Sequence, residues 1–314
     1  MRFKVLVSAP YMVPELDRFR AYLSANDVDV VAAEVTERLN EAELVSLLGV
    51  YDGIICGDDR FTSRAMDAAP QLKVISKWGT GIDSIDQVAA KERGILVCNT
   101  PNAFTEPVAD TVLGYILNFA RNLGAMNAEM RQGKWFKKPS VALNETVLGV
   151  IGVGNIGKAV IRRARAFGMT TIGNDPEKID PEFLSATGTT MMSKESLLGQ
   201  SDFVSLNCTL NETSYHVIDR EALALMKPTG IVINTARGPL VDESAFVAAL
   251  EMGAVGGGAF DVFEEEPLPA ESRLRLFDNV MLAPHNSNSS PTAWERVHEN
   301  TIANLLSGLR NPAR

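Results

Sequence analysis

The segment "LGVIGVGNIGKAV", residues 148–160, restricts the possible folds of this chain more than any other segment. It carries the pattern G-x-G-x-x-G at Gly152, Gly154 and Gly157, after an apolar run and before a helical pattern. The first glycine permits a tight turn, the second lets backbone approach a pyrophosphate, and the third lets a helix pack on a strand. The segment therefore predicts a strand, a tight turn and a helix whose N-terminal N–H groups can bind phosphate.

An acidic residue at the end of the following strand would complete a dinucleotide site. The run "TTIGND" places Asp175 there, 18 residues after Gly157. A carboxylate at this position binds a ribose 2′-hydroxyl and repels a 2′-phosphate, which favours NAD over NADP. The alternative is that Asp175 only caps the turn before Pro176. The segment also fits G-x-x-x-x-G-K, but Ala159 stands where a P-loop needs Ser or Thr to hold magnesium.

Short β-branched runs alternate with helical patterns along almost the whole chain, which predicts parallel sheets covered on both faces. The first series of predicted strands is "KVLVSAP", "DVDVVAA", "GIICG", "LKVIS" and "ILVCN". The second is "TVLGVIGVG", "TTIGND", "FVSLN", "GIVINTARG", "GGGAFDVF" and "NVMLAP", followed by an amphipathic C-terminal helix. Two series in 314 residues predict an α/β protein with two doubly wound parallel-sheet domains and a cleft between them.

Between the two series lies a long helical pattern, "VADTVLGYILNFARNL". Its apolar face is wide, and is formed by Val108, Val112, Leu113, Ile116, Leu117 and Ala120. The residues alone leave two interpretations open: an ordinary buried helix, or a helix at a domain junction or subunit contact.

The composition excludes several classes of function. Acidic residues outnumber Lys and Arg by 39 to 30, and no basic run occurs, so nucleic acid is not an expected partner. The longest apolar run, about ten residues, is too short to cross a bilayer, and the N-terminus lacks a signal-peptide pattern. The three scattered cysteines are typical of a reduced, cytoplasmic protein. H-E-x-x-H and G-x-S-x-G are absent, and no metal site is expected.

Three polar residues, Arg237, Glu266 and His285, follow predicted strands of the second series, where catalytic groups collect in open parallel sheets. When NAD oxidises an alcohol, the cofactor takes the hydride and the protein must take the proton. A histidine suits that task because its pKa lies near neutral. A carboxylate would orient its ring, and an arginine would hold a substrate carboxylate through two hydrogen bonds.

Together, "GVGNIGKAV", "INTARGPLVDE", "GAFDVFEEEP" and "NVMLAPH" resemble the D-isomer-specific 2-hydroxyacid dehydrogenases, and most closely the phosphoglycerate dehydrogenase branch in a short form without a regulatory domain. "LKVISKWGTGIDSID" and "GILVCNTPNAFTEPVADTVLGYILNFARNL" extend the resemblance over nearly the whole chain. It implies an NAD-binding Rossmann domain at residues 101–282 and a flavodoxin-like substrate domain at residues 1–100 and 283–314. It also implies NAD-dependent interconversion of a small D-2-hydroxy acid and its 2-keto acid, by a homodimer with the helix over residues 105–122 at the contact.

The resemblance also implies a role for each site residue. Arg237 would bind the carboxylate and carbonyl of the substrate, His285 would be the acid/base, and Glu266 would pair with it. The substrate carboxylate would receive backbone N–H groups from a turn made of Lys77, Gly79, Thr80 and Gly81. The cofactor would be bound by Gly152, Gly154, Asn155, Ile156, Gly157, Asp175, Cys208, Thr209, Ala236 and Asp261, the last of these beside the nicotinamide.

Other ionisable residues have plainer explanations. His216 fits a structural position, and His298 fits a surface or packing position in the last helix. Glu264 and Glu265 fit a solvated acidic turn, and Lys77 could also be an ordinary surface lysine.

Two segments depart from the family pattern. After His285, "NSNSS" has no glycine, where the family usually has a glycine-bearing segment close to the nicotinamide. After "GIIC", Gly57, Asp58 and Asp59 stand where the phosphoglycerate branch tends to carry an arginine for the phosphate. The two carboxylates would repel a dianion, so a phosphorylated substrate is not expected.

Two alternatives to this activity stay open, because a fold by itself does not decide function. One is an NAD(H)-sensing binding protein like the transcriptional corepressor that shares the family fold. The other is a formate or phosphite dehydrogenase of the same superfamily. Turnover of 2-keto acids would separate the dehydrogenase from both.

Overall fold

The computed structural model describes residues 2–311, which form two compact units. Unit 1 contains the chain up to Phe104 and again from Ser289, and unit 2 is Thr105–Asn288. The boundaries expected from the sequence, 100/101 and 282/283, lie a few residues earlier in the chain. The difference places His285 in unit 2, with Arg237 and Glu266. Residues 1 and 312–314 of the expected substrate domain lie outside the described residues.

Unit 1 is built on a parallel sheet of five strands, all five of them predicted from the sequence. The strands are β1 (Phe3–Val7), β2 (Val28–Ala32), β3 (Gly53–Cys56), β4 (Val74–Lys77) and β5 (Leu96–Cys98). The helices are α1 (Leu16–Ala25), α2 (Glu41–Leu47), α3 (Ser63–Asp67), α4 (Gln87–Glu92) and the C-terminal helix (Pro291–Arg310). The strand order β2-β1-β3-β4-β5 is the flavodoxin order.

Buried strands and capped helices account for the stability of unit 1. Every residue of β3 and β4 is buried, as expected for parallel strands covered on both faces. The C-terminal helix packs against β3, β4 and β5. The side chains of Asn40, Thr62 and Asp86 accept backbone N–H groups at the starts of α2, α3 and α4, which satisfies donors that a helix leaves unpaired.

Unit 2 is built on a parallel sheet of seven strands. The strands are β6 (Val147–Ile151), β7 (Thr170–Asn174), β8 (Thr190–Met191), β9 (Phe203–Leu206), β10 (Ile231–Asn234), β11 (Gly257–Phe260) and β12 (Val280–Leu282). The helices are α5 (Thr105–Arg121), α6 (Leu123–Arg131), α7 (Asn155–Ala166), α8 (Pro181–Thr187), α9 (Lys194–Gln200), α10 (Arg220–Leu225) and α11 (Glu243–Glu251).

The strands of this sheet lie in the order β12-β11-β10-β9-β6-β7-β8. The first of these strands in the chain, β6, lies inside the sheet, and later strands are added on both sides of it. This is the Rossmann order with one strand added beyond β11. The direction of growth reverses between β6 and β9, which pair in parallel. Ligands of open α/β sheets bind at the carboxyl ends of the strands at such a reversal, and the glycine loop follows β6 at that point.

Two apolar clusters hold the layers of unit 2 together. Ile231 and Ile233 of β10 belong to the cluster that includes α5 and α7, whereas Val232 belongs to the cluster that includes α9, α10 and α11. Alternate residues of a strand point to opposite faces of its sheet. The seven-stranded sheet is therefore covered on both faces, as the sequence pattern predicts.

The sequence patterns did not predict α6 and β8. α6 contains no buried residue, so it lacks the apolar periodicity by which a helix is recognised, and β8 is only two residues long. Over residues 2–311, no helix has the length and apolar character needed to span a membrane.

Candidate active site

The glycine loop joins β6 to α7 at the reversal point of unit 2. Gly152 has a φ of +89°, and a Cβ there would collide with the backbone of Cys208. A Cβ at Gly157 would collide with the carbonyl oxygen of Gly152, so the helix can approach the loop only without a side chain there. α7 begins at Asn155 with Gly154 as its N-cap. Gly154 has no side chain that could accept hydrogen bonds from the N–H groups of the first turn, an arrangement that fits a pyrophosphate.

Asp175 lies directly after β7 and binds the glycine loop. Its Oδ2 accepts the backbone N–H of Val153 at 2.6 Å, and its Oδ1 accepts that of Glu177 at 2.8 Å. The carboxylate thus caps the local turn, as one sequence interpretation expects, and also lies against the loop. An ionised carboxylate has about four acceptor positions, so these two bonds leave capacity for ribose hydroxyls.

The remaining predicted cofactor residues lie at the same edge of the unit 2 sheet. Cys208 and Thr209 follow β9, and Ala236 follows β10, where its N–H donates to Oδ1 of Asn234 at 3.1 Å. Ile156 is partly buried against the α5 and α7 cluster. Burial raises the pKa of the Cys208 thiol to about 11, so this side chain is a protonated packing group at neutral pH.

His285 and Glu266 form the hydrogen-bonded pair that the sequence predicts. The distance between His285 Nδ1 and Glu266 Oε2 is 3.1 Å, and the side chains are 23% and 14% exposed. Glu266 Oε1 accepts the N–H of Phe263 at 2.9 Å, which holds the carboxylate in place. An ionised Glu266 carboxylate can only accept a hydrogen bond, and Nδ1 is the donor in that state. In the neutral ring, the lone pair is then on Nε2.

Asp261 determines the backbone conformation around His285. It is fully buried, and its Oδ1 and Oδ2 accept the N–H groups of Asn286 and Ser287 at 2.7 and 2.8 Å. Its carbonyl oxygen accepts the N–H of His285 at 2.7 Å. The Asp261 carboxylate thus binds the start of the "NSNSS" segment directly. Burial, with a smaller contribution from the Asp261 charge, raises the pKa of Tyr115 to about 12.

Arg237 lies three residues beyond β10 and is partly buried. Its Nη1 donates to the carbonyl of Ala236 at 2.8 Å. The loop is held by Asn234, whose amide donates to the carbonyl of Arg237 at 2.8 Å. Sequence reasoning missed this role of Asn234; the polar residue at the end of the apolar run "GIVIN" was the available signal.

His216 also pairs with a carboxylate, and its partner, Glu264, lies two residues before Glu266. Its Nε2 lies 2.7 Å from Oε1 of Glu264, and its ring stacks on Tyr215 at 3.9 Å. The solvated acidic turn predicted for Glu264 and Glu265 is exposed, but the prediction missed this pair. Throughout residues 2–311, no group of three or more His, Cys, Asp or Glu side chains could hold a metal ion.

Within unit 1, Lys77 is the buried end of β4. Its side chain is 4% exposed, and its Nζ lies 2.7 Å from Oδ1 of Asp58. The alternative of an ordinary surface lysine is therefore wrong. Beside this pair, buried Asp59 accepts the hydroxyl of Ser8 and the N–H of Leu39, each at 2.5 Å. Burial raises the pKa of the Asp59 carboxyl.

The turn after Lys77 is fastened to the segment after β5. The Gly79 carbonyl accepts the N–H of Thr100 at 2.9 Å, and the Thr80 hydroxyl donates to the Thr100 carbonyl at 3.1 Å. The side-chain amide of Asn99 donates to the Thr80 carbonyl at 2.6 Å. These bonds hold Gly79, Thr80 and Gly81 in one turn at the carboxyl end of β4.

The chain matches the family described as "D-isomer specific 2-hydroxyacid dehydrogenase, NAD binding domain" over residues 113–287. It is 37% identical to a glyoxylate reductase of Korarchaeum cryptofilum, over 87% of this chain and 81% of that protein. It is 37% identical to a hydroxypyruvate reductase of Thermotoga maritima, over 94% and 95%. It is 38% identical to a D-3-phosphoglycerate dehydrogenase of Methanocaldococcus jannaschii, but spans only about half of that protein (51%).

A solved structure is similar to this chain over nearly its whole length. The crystal structure of D-lactate dehydrogenase from Aquifex aeolicus, complexed with NAD and lactic acid, superposes with a TM-score of 0.85 at 26% identity. The similarity covers 98% of each chain.

We predict that Gly154→Ala weakens dinucleotide binding without destabilising the protein. A Cβ at Gly154 meets no protein atom within 4 Å, and the backbone is extended there, so the chain itself accepts alanine. A bound pyrophosphate would collide with it, and the Kd for NADH, measured by fluorescence titration, should rise at least about tenfold.

The matched control is Gly114→Ala, in α5, where a Cβ likewise meets nothing within 4 Å. It should leave the Kd for NADH unchanged and should not lower the melting temperature, because alanine is favoured over glycine inside a helix. An unchanged NADH affinity in Gly154→Ala would contradict the placement of the pyrophosphate.

Proposed function

Because the chain belongs to the D-isomer-specific 2-hydroxyacid dehydrogenase family, whose NAD-binding domain it contains, we propose that it interconverts a small D-2-hydroxy acid and its 2-keto acid. The observation that carries the proposal is the His285–Glu266 pair, at 3.1 Å, on the sheet edge that also carries the glycine loop. NADH supplies a hydride to the carbonyl carbon when it is bound.

His285 acts as the acid/base of this reaction. With Nδ1 held by Glu266, Nε2 is the nitrogen that donates a proton to the carbonyl oxygen in reduction and accepts it from the hydroxyl in oxidation. The Glu266 carboxylate stabilises the imidazolium, so the ring can carry the proton before transfer. Asp261 fixes the backbone of His285 and so fixes the position from which Nε2 acts.

Each unit by itself offers donors that suit a substrate carboxylate, Arg237 in unit 2 and the turn after β4 in unit 1. The guanidinium offers two parallel N–H donors to a carboxylate, and Asn234 holds its backbone. The turn of Gly79, Thr80 and Gly81 offers backbone N–H groups, and its bonds to Asn99 and Thr100 keep it in shape.

The substrate we propose is a small, unphosphorylated 2-keto acid such as glyoxylate or hydroxypyruvate. Relatives named for these two substrates match this chain over most of their own length. The charge of Lys77 is taken up by Asp58, and Asp59 adds a second carboxyl beside it. A phosphate dianion would meet little net positive charge there. Asp175 favours NAD over NADP in the same way, by repelling a 2′-phosphate.

A substrate panel tests the proposed activity. With NADH, we expect turnover of glyoxylate or hydroxypyruvate, with a kcat/KM at least about tenfold above that for phosphohydroxypyruvate, or about 1.4 kcal/mol. If the protein turns over none of the 2-keto acids, the proposed dehydrogenase activity is wrong. Partner binding that depends on NADH would then favour a sensor, and NAD reduction by formate or phosphite would favour those activities.

Replacement of His285 by alanine tests the proton transfer. We expect kcat to fall by about 10²–10⁴, while the Kd for NADH stays unchanged because His285 lies outside the glycine loop. His216→Ala is the control, since it removes the other histidine paired with a glutamate on the same segment. Equal losses in the two variants would remove His285 from the acid/base role.

We also propose that a second copy of the chain covers residues 123–141. The family resemblance implies a subunit contact at the helix over residues 105–122, and the apolar face of α5 packs inside unit 2 against α7. The segment that follows exposes five large apolar side chains, Leu123, Met130, Trp135, Phe136 and Val141. Trp135 is 87% exposed. Such a concentration is typical of a protein interface.

The double variant Trp135→Ser/Phe136→Ser should shift the protein towards the monomer in light scattering coupled to size-exclusion chromatography. Met252→Ser/Leu276→Ser is the matched control, since these side chains are 71% and 78% exposed elsewhere in unit 2. A wild-type protein that is monomeric at all concentrations would refute the dimer, as would a variant that dimerises like the wild type.

A further inference from the structure

The C-terminal helix carries a buried histidine that binds the turn of unit 1. Trp78 lies between Lys77 and Gly79, and its indole N–H donates to Nδ1 of His298 at 2.9 Å. Both side chains are nearly fully buried, at 5% and 3% exposure. An indole N–H can only donate, so Nδ1 of His298 has to carry a lone pair in this bond.

Two further hydrogen bonds lie on the same face of the helix. The Ser76 hydroxyl donates to the carbonyl of Thr301 at 2.8 Å, and the side-chain amide of Asn304 donates to the carbonyl of Asn99 at 2.9 Å. Positions 298, 301 and 304 are three residues apart, and helix residues at that spacing are neighbours on one face. One face of the C-terminal helix thus binds three residues around the turn: Ser76 near the end of β4, Trp78 just before the turn, and Asn99 in the segment that binds the turn.

Aromatic rings surround the hydrogen bond and exclude water from it. The ring of Trp78 lies 5.5, 5.7 and 6.0 Å from those of Tyr11, Phe104 and Trp294. Burial lowers the pKa of His298, which keeps its ring neutral and able to accept the bond. A buried indole N–H that lost its acceptor would be costly, so the bond restrains where Trp78 can lie.

We propose that His298 is a positioning residue: by accepting the N–H of Trp78, it holds the turn of Gly79, Thr80 and Gly81 in the conformation that receives the substrate carboxylate. The inference rests on the proposed function, in which this turn binds the keto acid. His298 does not touch the reacting atoms, so it acts on substrate affinity through Trp78 and leaves proton transfer to His285.

His298→Leu and His298→Asn test the role as a pair. Leucine removes the acceptor and leaves the Trp78 N–H without a partner. We expect the KM for the preferred keto acid to rise about tenfold, with kcat and the KM for NADH little changed. Asparagine places its Oδ1 near the position of Nδ1, so it should restore most of the substrate affinity. A purely structural role would lower kcat, stability and both affinities together.

Trp78→Phe provides a second route, because it removes the donor and keeps an aromatic ring. It should raise the same KM, and adding His298→Leu to it should have little further effect, since the two residues act through one bond. Additive effects in the double variant would overturn the proposal, as would a wild-type KM in either single variant. Wild-type protein that turns over no keto acid would overturn the proposed function and this inference together. If the wild type turns over a keto acid and His298→Leu and Trp78→Phe leave its KM unchanged, only the proposed role of His298 is wrong.

Discussion

The buried carboxylate of Asp261 binds the backbone that follows His285, and the geometry of the candidate active site depends on it. His285 has a φ of +50°, a left-handed conformation that costs a residue with a Cβ about 1–2 kcal/mol. Hydrogen bonds to a charged acceptor contribute about 1.5–3 kcal/mol each, and Asp261 accepts two from this turn. These two bonds offset the cost of the left-handed conformation at His285, and Glu266 binds the imidazole of the same residue.

The parallel sheet of unit 2 brings segments that are far apart in the chain to one edge. β10, β11 and β12 are neighbours, and Asn234, Phe260 and Leu282 lie in register at their ends. The segments that carry Arg237, Glu266 and His285 leave the sheet from this one edge. β6 and β9 pair in the same sheet, so the glycine loop and Cys208 lie at that edge too.

Local patterns were sufficient for most of the fold. The strands of both series, the glycine loop and the two parallel sheets follow from apolar runs, helical periodicity and turn residues. The His285–Glu266 pair was also expected, because both residues follow strands of one series. Elements without an apolar pattern were missed: α6 buries nothing, and β8 is two residues long. The surface alternatives for Lys77 and His298 were wrong because each binds a partner that no local pattern identifies.

The sequence by itself determined the α/β class, the positions of every strand except the two-residue β8, the turn at Gly152 and the residue types available at the strand ends. These depend on backbone conformation and hydrophobic periodicity, which act over a few neighbouring residues. Only the tertiary structure decided that Asp261 binds the turn after His285 and that His298 binds Trp78. The bonds from Asp261 join residues 25 and 26 positions apart. The bond between Trp78 and His298 joins residues 220 positions apart. Their geometry exists only once the sheets and helices have packed and have excluded water from the groups involved.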